Sequence, residues 1–196
     1  WRYNGNRLNI YAAVDFAFSL AKSADYTAIV VIGIDCDKNI YVLDIDRFRA
    51  DKTIEYFEHI KDLHSKWNFN KLRAEVTVAQ QVIVNGIKDY LAKESLKLAV
   101  EEYRPNRTEG SKEERIAAAL EHRYENYEVW HTEGGWTHVL EDELIKARPA
   151  HDDLKDALSS AVTIAVPPSK GMRDRSQDLL FLNKSRGNRF GGVQFR

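Results

Sequence analysis

Apolar and polar positions along the chain change their period several times, and each change marks an element. Residues 8–17, 26–35 and 39–48 read as strands, the second dense in β-branched side chains through Thr27-Ala28-Ile29-Val30-Val31-Ile32. The polar link Cys36-Asp37-Lys38 is short enough to join the second and third strands as a hairpin. From residue 52 to 67 the apolar positions Ile54, Phe57, Ile60 and Leu63 recur at helical spacing. Residues 72–78 read as a fourth strand, about 80–93 as a helix and 96–102 as a fifth strand. Ser111, with Glu114 three residues on, has the capping-box pattern that starts a helix with residues 116–120 as its apolar stripe. A short strand near 128–131 and a short helix near 136–147 precede a last helix over 151–166, which Pro167-Pro168 stops. No segment repeats another.

Three meandering strands followed by strand–helix alternation predict an α/β domain. Its sheet is mixed, with the first three strands antiparallel and helices on both faces. Residues 1–166 are expected to form that domain, with 167–196 as a basic, extended tail. Apolar stretches are too short to span a bilayer, and a single cysteine, Cys36, excludes both an internal disulfide and a cysteine-built zinc site. A cytoplasmic location is the expectation. The net charge of −1 hides an asymmetry: the tail carries seven basic residues against Asp174 and Asp178, or +5, which leaves the body at −6. An acidic body is an unusual footprint for a nucleic-acid binder, so cations or a further domain would have to offset the repulsion.

Three acidic groups carry candidate chemistry. Asp15 stands among apolar residues in Ala12-Ala13-Val14-Asp15-Phe16-Ala17, and Glu75 among them in Leu72-Arg73-Ala74-Glu75-Val76. A carboxylate inside a strand is costly unless paired or bound to a cation. The bland alternatives are a frayed strand end for Asp15 and a salt bridge to Arg73 for Glu75. The third group is His151-Asp152-Asp153-Leu154-Lys155-Asp156-Ala157-Leu158. Helical spacing puts Asp152, Asp153 and Asp156 on one flank, with Leu154, Leu158, Ala161 and Ala165 as the buried stripe opposite. Acids in a first turn also favour the helix dipole, which is the competing explanation. Oxygen donors without a Cys/His set select Mg²⁺ or Mn²⁺, and two such ions suit phosphodiester hydrolysis.

These residues resemble the nuclease domain of the large terminase subunit of tailed bacteriophages, of the ribonuclease-H-like superfamily. The likeness rests on the strand with a central Asp15, Ser23-Ala24-Asp25-Tyr26-Thr27-Ala28-Ile29, the acid of the fourth strand, the helix start Lys112-Glu113-Glu114-Arg115-Ile116, and the late His-Asp-Asp-x-x-Asp-Ala-Leu helix. It spans residues 8 to 166, and similar Asp-x-x-Asp-Ala-Leu helices occur in bacterial Holliday-junction resolvases. The resemblance implies a ribonuclease-H-like fold with Asp15, Glu75 and Asp153 as metal-binding catalytic residues, and Asp152 and Asp156 as auxiliary acids. It also implies a two-metal endonuclease that cuts double-stranded DNA with little sequence preference during viral genome packaging. The implied partners are an ATPase motor domain, a small terminase subunit and a portal protein. No Gly-x-x-x-x-Gly-Lys-Ser/Thr loop is present, so this chain alone is not expected to translocate DNA. The alternatives are a junction resolvase on the same fold and a catalytically silent docking module.

Lys112 and Arg115, a helical turn apart, are candidates for holding a phosphate or a reacting carboxylate, against pairing with surface glutamates of their own helix. His151 is an auxiliary candidate, although a histidine at a helix start commonly bonds locally. Asp25 suits a turn better than the site. Gly134-Gly135-Trp136 places an aromatic on a loop, where a core anchor is the commoner role.

Overall fold

The computed structural model describes residues 1–17, 26–77, 80–146 and 149–170, with only the backbone of Arg107. A two-residue hairpin opens the chain, β1 (Arg2–Tyr3) with β2 (Asn6–Arg7), turning on Asn4 and Gly5, both at positive φ. The meander follows as β3 (Asn9–Asp15), β4 (Thr27–Ile34) and β5 (Ile40–Phe48), each antiparallel to the next. Then come α1 (Thr53–Trp67), β6 (Lys71–Glu75), α2 (Gln81–Lys93) and β7 (Ala99–Tyr103). A 3-10 turn at Arg107–Glu109 leads to α3 (Lys112–Glu125), β8 (Val129–His131), α4 (Thr137–Ile145) and α5 (Asp153–Ile164). The main sheet runs β7-β6-β3-β4-β5-β8, with β6, β7 and β8 parallel to their neighbours.

All eight residues of β4 are buried, which is why its sequence is an unbroken apolar run rather than an alternation. Period two separates the two faces of β3. Ile10, Ala12 and Val14 join the core under α1 and α2, with Phe57, Ile60 and Trp67. Tyr11 and Ala13 join the core under α3, α4 and α5, with Leu120, Leu140, Leu154 and Leu158. No helix among the described residues is long and apolar enough to cross a membrane.

Two local departures from the sequence pattern position the site. The strands carrying Asp15 and Glu75 end on those residues instead of running past them, so both acids stand at strand termini. In β5 the register slips: Ile32 faces Val42 while the preceding Val31 faces Asp44, leaving Leu43 as an extra residue. This β-bulge reverses the alternation, as bulges do when they re-aim side chains. Tyr41 and Leu43 belong to the α1 side, whereas Ile45 packs with the α5 side.

Candidate active site

Val14 of β3 lies opposite Ala74 of the parallel strand β6, so Asp15 and Glu75 end adjacent strands side by side. The helix α5 packs over β3, β4 and β6 and begins at this same end of the sheet. Its first residue, Asp153, and Asp156 one turn on are 8% and 7% exposed. They are therefore buried with Leu154 and Leu158, not held on an outward flank as the helical spacing predicts. Asp152 is the N-cap residue and only partly buried.

A lysine ammonium stands among these acids. Lys112 Nζ lies 2.9 Å from Asp156 Oδ2, 3.1 Å from Asp152 Oδ1 and 4.0 Å from Asp15 Oδ2. Arg115 Nη2 lies 3.7 Å from Glu75 Oε1. Both basic residues thus reach across to the acid cluster instead of pairing with glutamates of α3. The alternative partner for Glu75 is taken as well, since Arg73 Nε donates to Glu101 Oε1 at 2.9 Å. The start of α3 fixes this placement. Ser111 Oγ accepts from Glu114 N at 3.2 Å and Glu114 Oε2 accepts from Ser111 N at 2.7 Å, the capping box read in the sequence. Gly110 precedes it at φ 84°, where a Cβ would meet Glu114 Oε2 at 2.6 Å.

The electrostatics are those of an acid cluster short of positive charge. Burial, then the neighbouring Asp156, push the Asp15 carboxyl up to about 7; Lys112 opposes this, while Asp153 and Glu75 add to it. Glu75 is raised for the same reasons, burial first and Asp156 second, against Arg115 and Lys112. Burial works against the Lys112 charge, but Asp156, Asp15 and Asp152 outweigh it and hold the ammonium above the ordinary lysine range.

Two further residues shape the site that sequence reasoning missed. Arg47 of β5 lies opposite Ala28 and, because of the bulge, faces α5, with Nη2 3.6 Å from Asp153 Oδ2. Plain alternation from Tyr41 and Leu43 would send it to the other face, so no sequence signal marked it. Glu143 of α4 is 3% exposed, and its Oε2 accepts from Leu154 N at 2.9 Å and Lys155 N at 3.0 Å. It caps α5 from outside that helix, while the Asp152 side chain makes no capping bond. Burial raises the Glu143 carboxyl; the Lys155 and Leu154 amides oppose this, as does Arg47, and Asp153 adds to it. A weak signal for Glu143 was present, since it continues the apolar stripe that Leu140 begins.

His151 packs edge-on to the Tyr26 ring, centroids 5.8 Å apart. Trp136 is 36% exposed and so is not a core anchor. Asp25, with Ser23 and Ala24, lies outside the described residues, as does the chain from 171 onward. A groove of about 720 Å³ leads away from Glu75 and Asp156 between α3 and α5, past Arg115, Tyr103 and Ser159. Among the described residues no three His, Cys, Asp or Glu side chains close around a point as a finished metal cage. The donor set nevertheless fits a hard cation: its oxygens are carboxylate oxygens, burial and then the neighbouring carboxylates raise Asp15, and an ammonium already stands among them.

No curated protein matches the chain. Among solved structures it is similar to the large terminase nuclease from thermophilic phage G20c, at 16% identity and TM-score 0.54, over 83% of this chain and 84% of that one. Lower similarity is found to RuvC of Thermus thermophilus (12% identity, TM-score 0.48, covering 79% of this chain and 92% of that one) and to the fowlpox virus Holliday junction resolvase (15%, 0.46, 79% and 96%). The fold is the mixed, ribonuclease-H-like sheet with its first strands antiparallel. The family profile of the terminase RNaseH-like domain matches residues 12–163, from the strand that ends in Asp15 to the helix that starts at Asp153. By that match over most of its length, the chain belongs to the terminase RNaseH-like domain family.

Proposed function

We propose that this domain is a divalent-cation-dependent endonuclease that cuts double-stranded DNA, with little sequence preference, during viral genome packaging. The observation that carries the reading is the meeting of Asp15, Glu75, Asp153 and Asp156, which are far apart in sequence, in one electrostatically coupled cluster at a single end of the sheet. Membership in the terminase family supplies the substrate class. Asp15, Glu75 and Asp153 would hold Mg²⁺ or Mn²⁺, two ions in all, with Asp152 and Asp156 as auxiliary acids. When bound, such ions supply Lewis acidity for hydrolysing a phosphodiester. The protein's own part is to present these carboxylates ionised and in place. Glu143 fixes the start of α5 and with it Asp153, and Arg47 keeps a positive charge beside Asp153. Lys112 and Arg115 hold the acids' charge in the metal-free protein and are free to turn to a phosphate once cations take that task. An ATPase motor, a small terminase subunit and a portal are the partners this reading implies.

The test is cleavage of linear, branched and single-stranded DNA with Mn²⁺, with and without chelator. Asp15→Asn and Asp153→Asn keep the side-chain shape and remove charge, so each should cut about a hundredfold more slowly or worse while remaining folded. A folded Asp15→Asn protein that cleaves normally would falsify the assignment. Strong preference for branched DNA would replace the packaging reading with a junction-resolving one, and no cleavage of any substrate would leave a docking module.

A further inference from the structure

We propose that Tyr26, Arg47, Arg49 and Trp136 form a nucleotide-binding pad beside the acid cluster, which takes an unpaired stretch of the DNA strand next to the cut. This rests on the nuclease reading and adds to it the residues that grip the strand. The bulge in β5 turns Arg47 to the α5 face, and period two then brings Arg49 to the same face. Both guanidinium groups lie against one ring: Arg47 Cζ is 4.0 Å and Arg49 Cζ 4.2 Å from the Tyr26 centroid. Arg47 is also 5.9 Å from the Trp136 centroid. Two like charges on one small ring repel each other. Arg47 is held through Asp153, but Arg49 is exposed and has no ion-pair partner among the described residues. Among the described residues this leaves the Arg49 charge unneutralised, on a body whose net charge is −6. An anion at Arg49 would relieve it.

Arg47 backs the pad rather than facing solvent, its side chain being 8% exposed, and the open groups are Arg49 and Trp136. Trp136 is 36% exposed at the start of α4, and Gly134 and Gly135 before it, both at positive φ, have no atom within 4 Å of where a Cβ would stand. An exposed indole beside one arginine, with a second arginine on the neighbouring Tyr26 ring, matches the chemistry of single-stranded nucleic acid, whose bases stack on aromatic rings while cations take the phosphates. A base paired inside a duplex cannot offer its face to that ring, so the pad selects a frayed, nicked or opened strand. Its place in the fold fits such a segment flanking the cut. Arg47 links the pad to Asp153 in one step, and His151 packs on the Tyr26 ring.

Affinity for a fluorescently labelled single-stranded oligonucleotide and for the matched blunt duplex, measured in chelator so that nothing is cut, tests the proposal. Trp136→Ala and Arg49→Ala should each weaken single-strand binding about tenfold, whereas Trp136→Phe, which keeps a stacking face, restores most of it. With Mn²⁺ the same losses should appear in KM more than in kcat, and Trp136 fluorescence should quench as the oligonucleotide binds. Ile145→Ala, an 83% exposed apolar residue at the far end of α4, is the control expected to bind as the parent does. Parent-like single-strand affinity in both Trp136→Ala and Arg49→Ala, in a protein that cuts DNA, overturns the pad alone. A parent protein that neither binds nor cuts DNA overturns the nuclease reading and the pad with it.

Discussion

A lysine ammonium among carboxylates is a weak stand-in for a divalent cation: it brings one charge where more are wanted, and it is tied to a helix. Lys112 relieves Asp152 and Asp156 directly but leaves Asp15 at about 7. Replacing Lys112 with Gln should therefore lower the melting temperature of the metal-free protein and enlarge the rise produced by millimolar Mn²⁺, because binding linkage then acts on a less neutralised cluster. An equal or smaller Mn²⁺ shift in Lys112→Gln would show that the ions bind away from Lys112. The pH dependence follows from the same residue pair. Asp15 ionises near 4 in the unfolded chain and at about 7 in the metal-free fold. Between those values the fold keeps a proton on Asp15 that the unfolded chain has released, so the contribution of Asp15 to stability falls as pH rises through that window. Mn²⁺ requires the ionised carboxylate, so its melting-temperature shift should grow over the same window, a pattern that thermal melts at several pH values would check. Asp15→Asn should flatten both trends. Asp15 and Glu75 were legible as candidates because a carboxylate among strand residues is costly. The lysine was legible only as an alternative, since spacing along α3 favours its own glutamates equally.

At the scale of elements, the site depends on a helix that does not cap itself. The first-turn acids of α5 read in sequence as dipole-stabilising, yet the amides of Leu154 and Lys155 are taken by Glu143 of α4. Glu143→Ala should cost about 1–2 kcal/mol of stability, read from the denaturant midpoint, and should slow cleavage by loosening Asp153. Glu143→Gln retains an acceptor oxygen and should recover much of both. If cleavage in Glu143→Ala stayed at the parent level while stability fell, Glu143 would hold the helix without serving the site. The bulge in β5 is the second such feature. One extra residue at Leu43 decides that Arg47 stands beside Asp153 and Arg49 against Tyr26, and not beneath α1. Element existence was readable from hydrophobic periods from residue 8 onward, with ends shifted by at most three residues, while the short β1–β2 hairpin and the 3-10 turn carry no such period. A bulge has no period of its own, which is why its consequences were not readable.

For the whole molecule, charge is the quantity that links sequence to partner. The body carries −6 and the residues from 167 onward +5. Removing 169–196 spares every proposed metal ligand, so cleavage should persist. DNA affinity measured at several salt concentrations then separates two roles: a flatter salt dependence without the tail means it neutralises phosphates, and identical slopes mean it docks elsewhere. Sequence alone determined the alternation of apolar and polar positions. It thereby determined the order of the main elements and the capping-box start of α3, because these depend on neighbours within a few residues. It also marked the acids, because a charge in an apolar run is anomalous wherever the run packs. The tertiary structure decided which charges meet. Parallel pairing of β3 with β6 sets Asp15 beside Glu75, the packing of α5 buries Asp153 and Asp156 over them, and the register slip turns Arg47 toward Asp153. Those outcomes depend on register and on contacts between distant segments, which a local pattern does not encode.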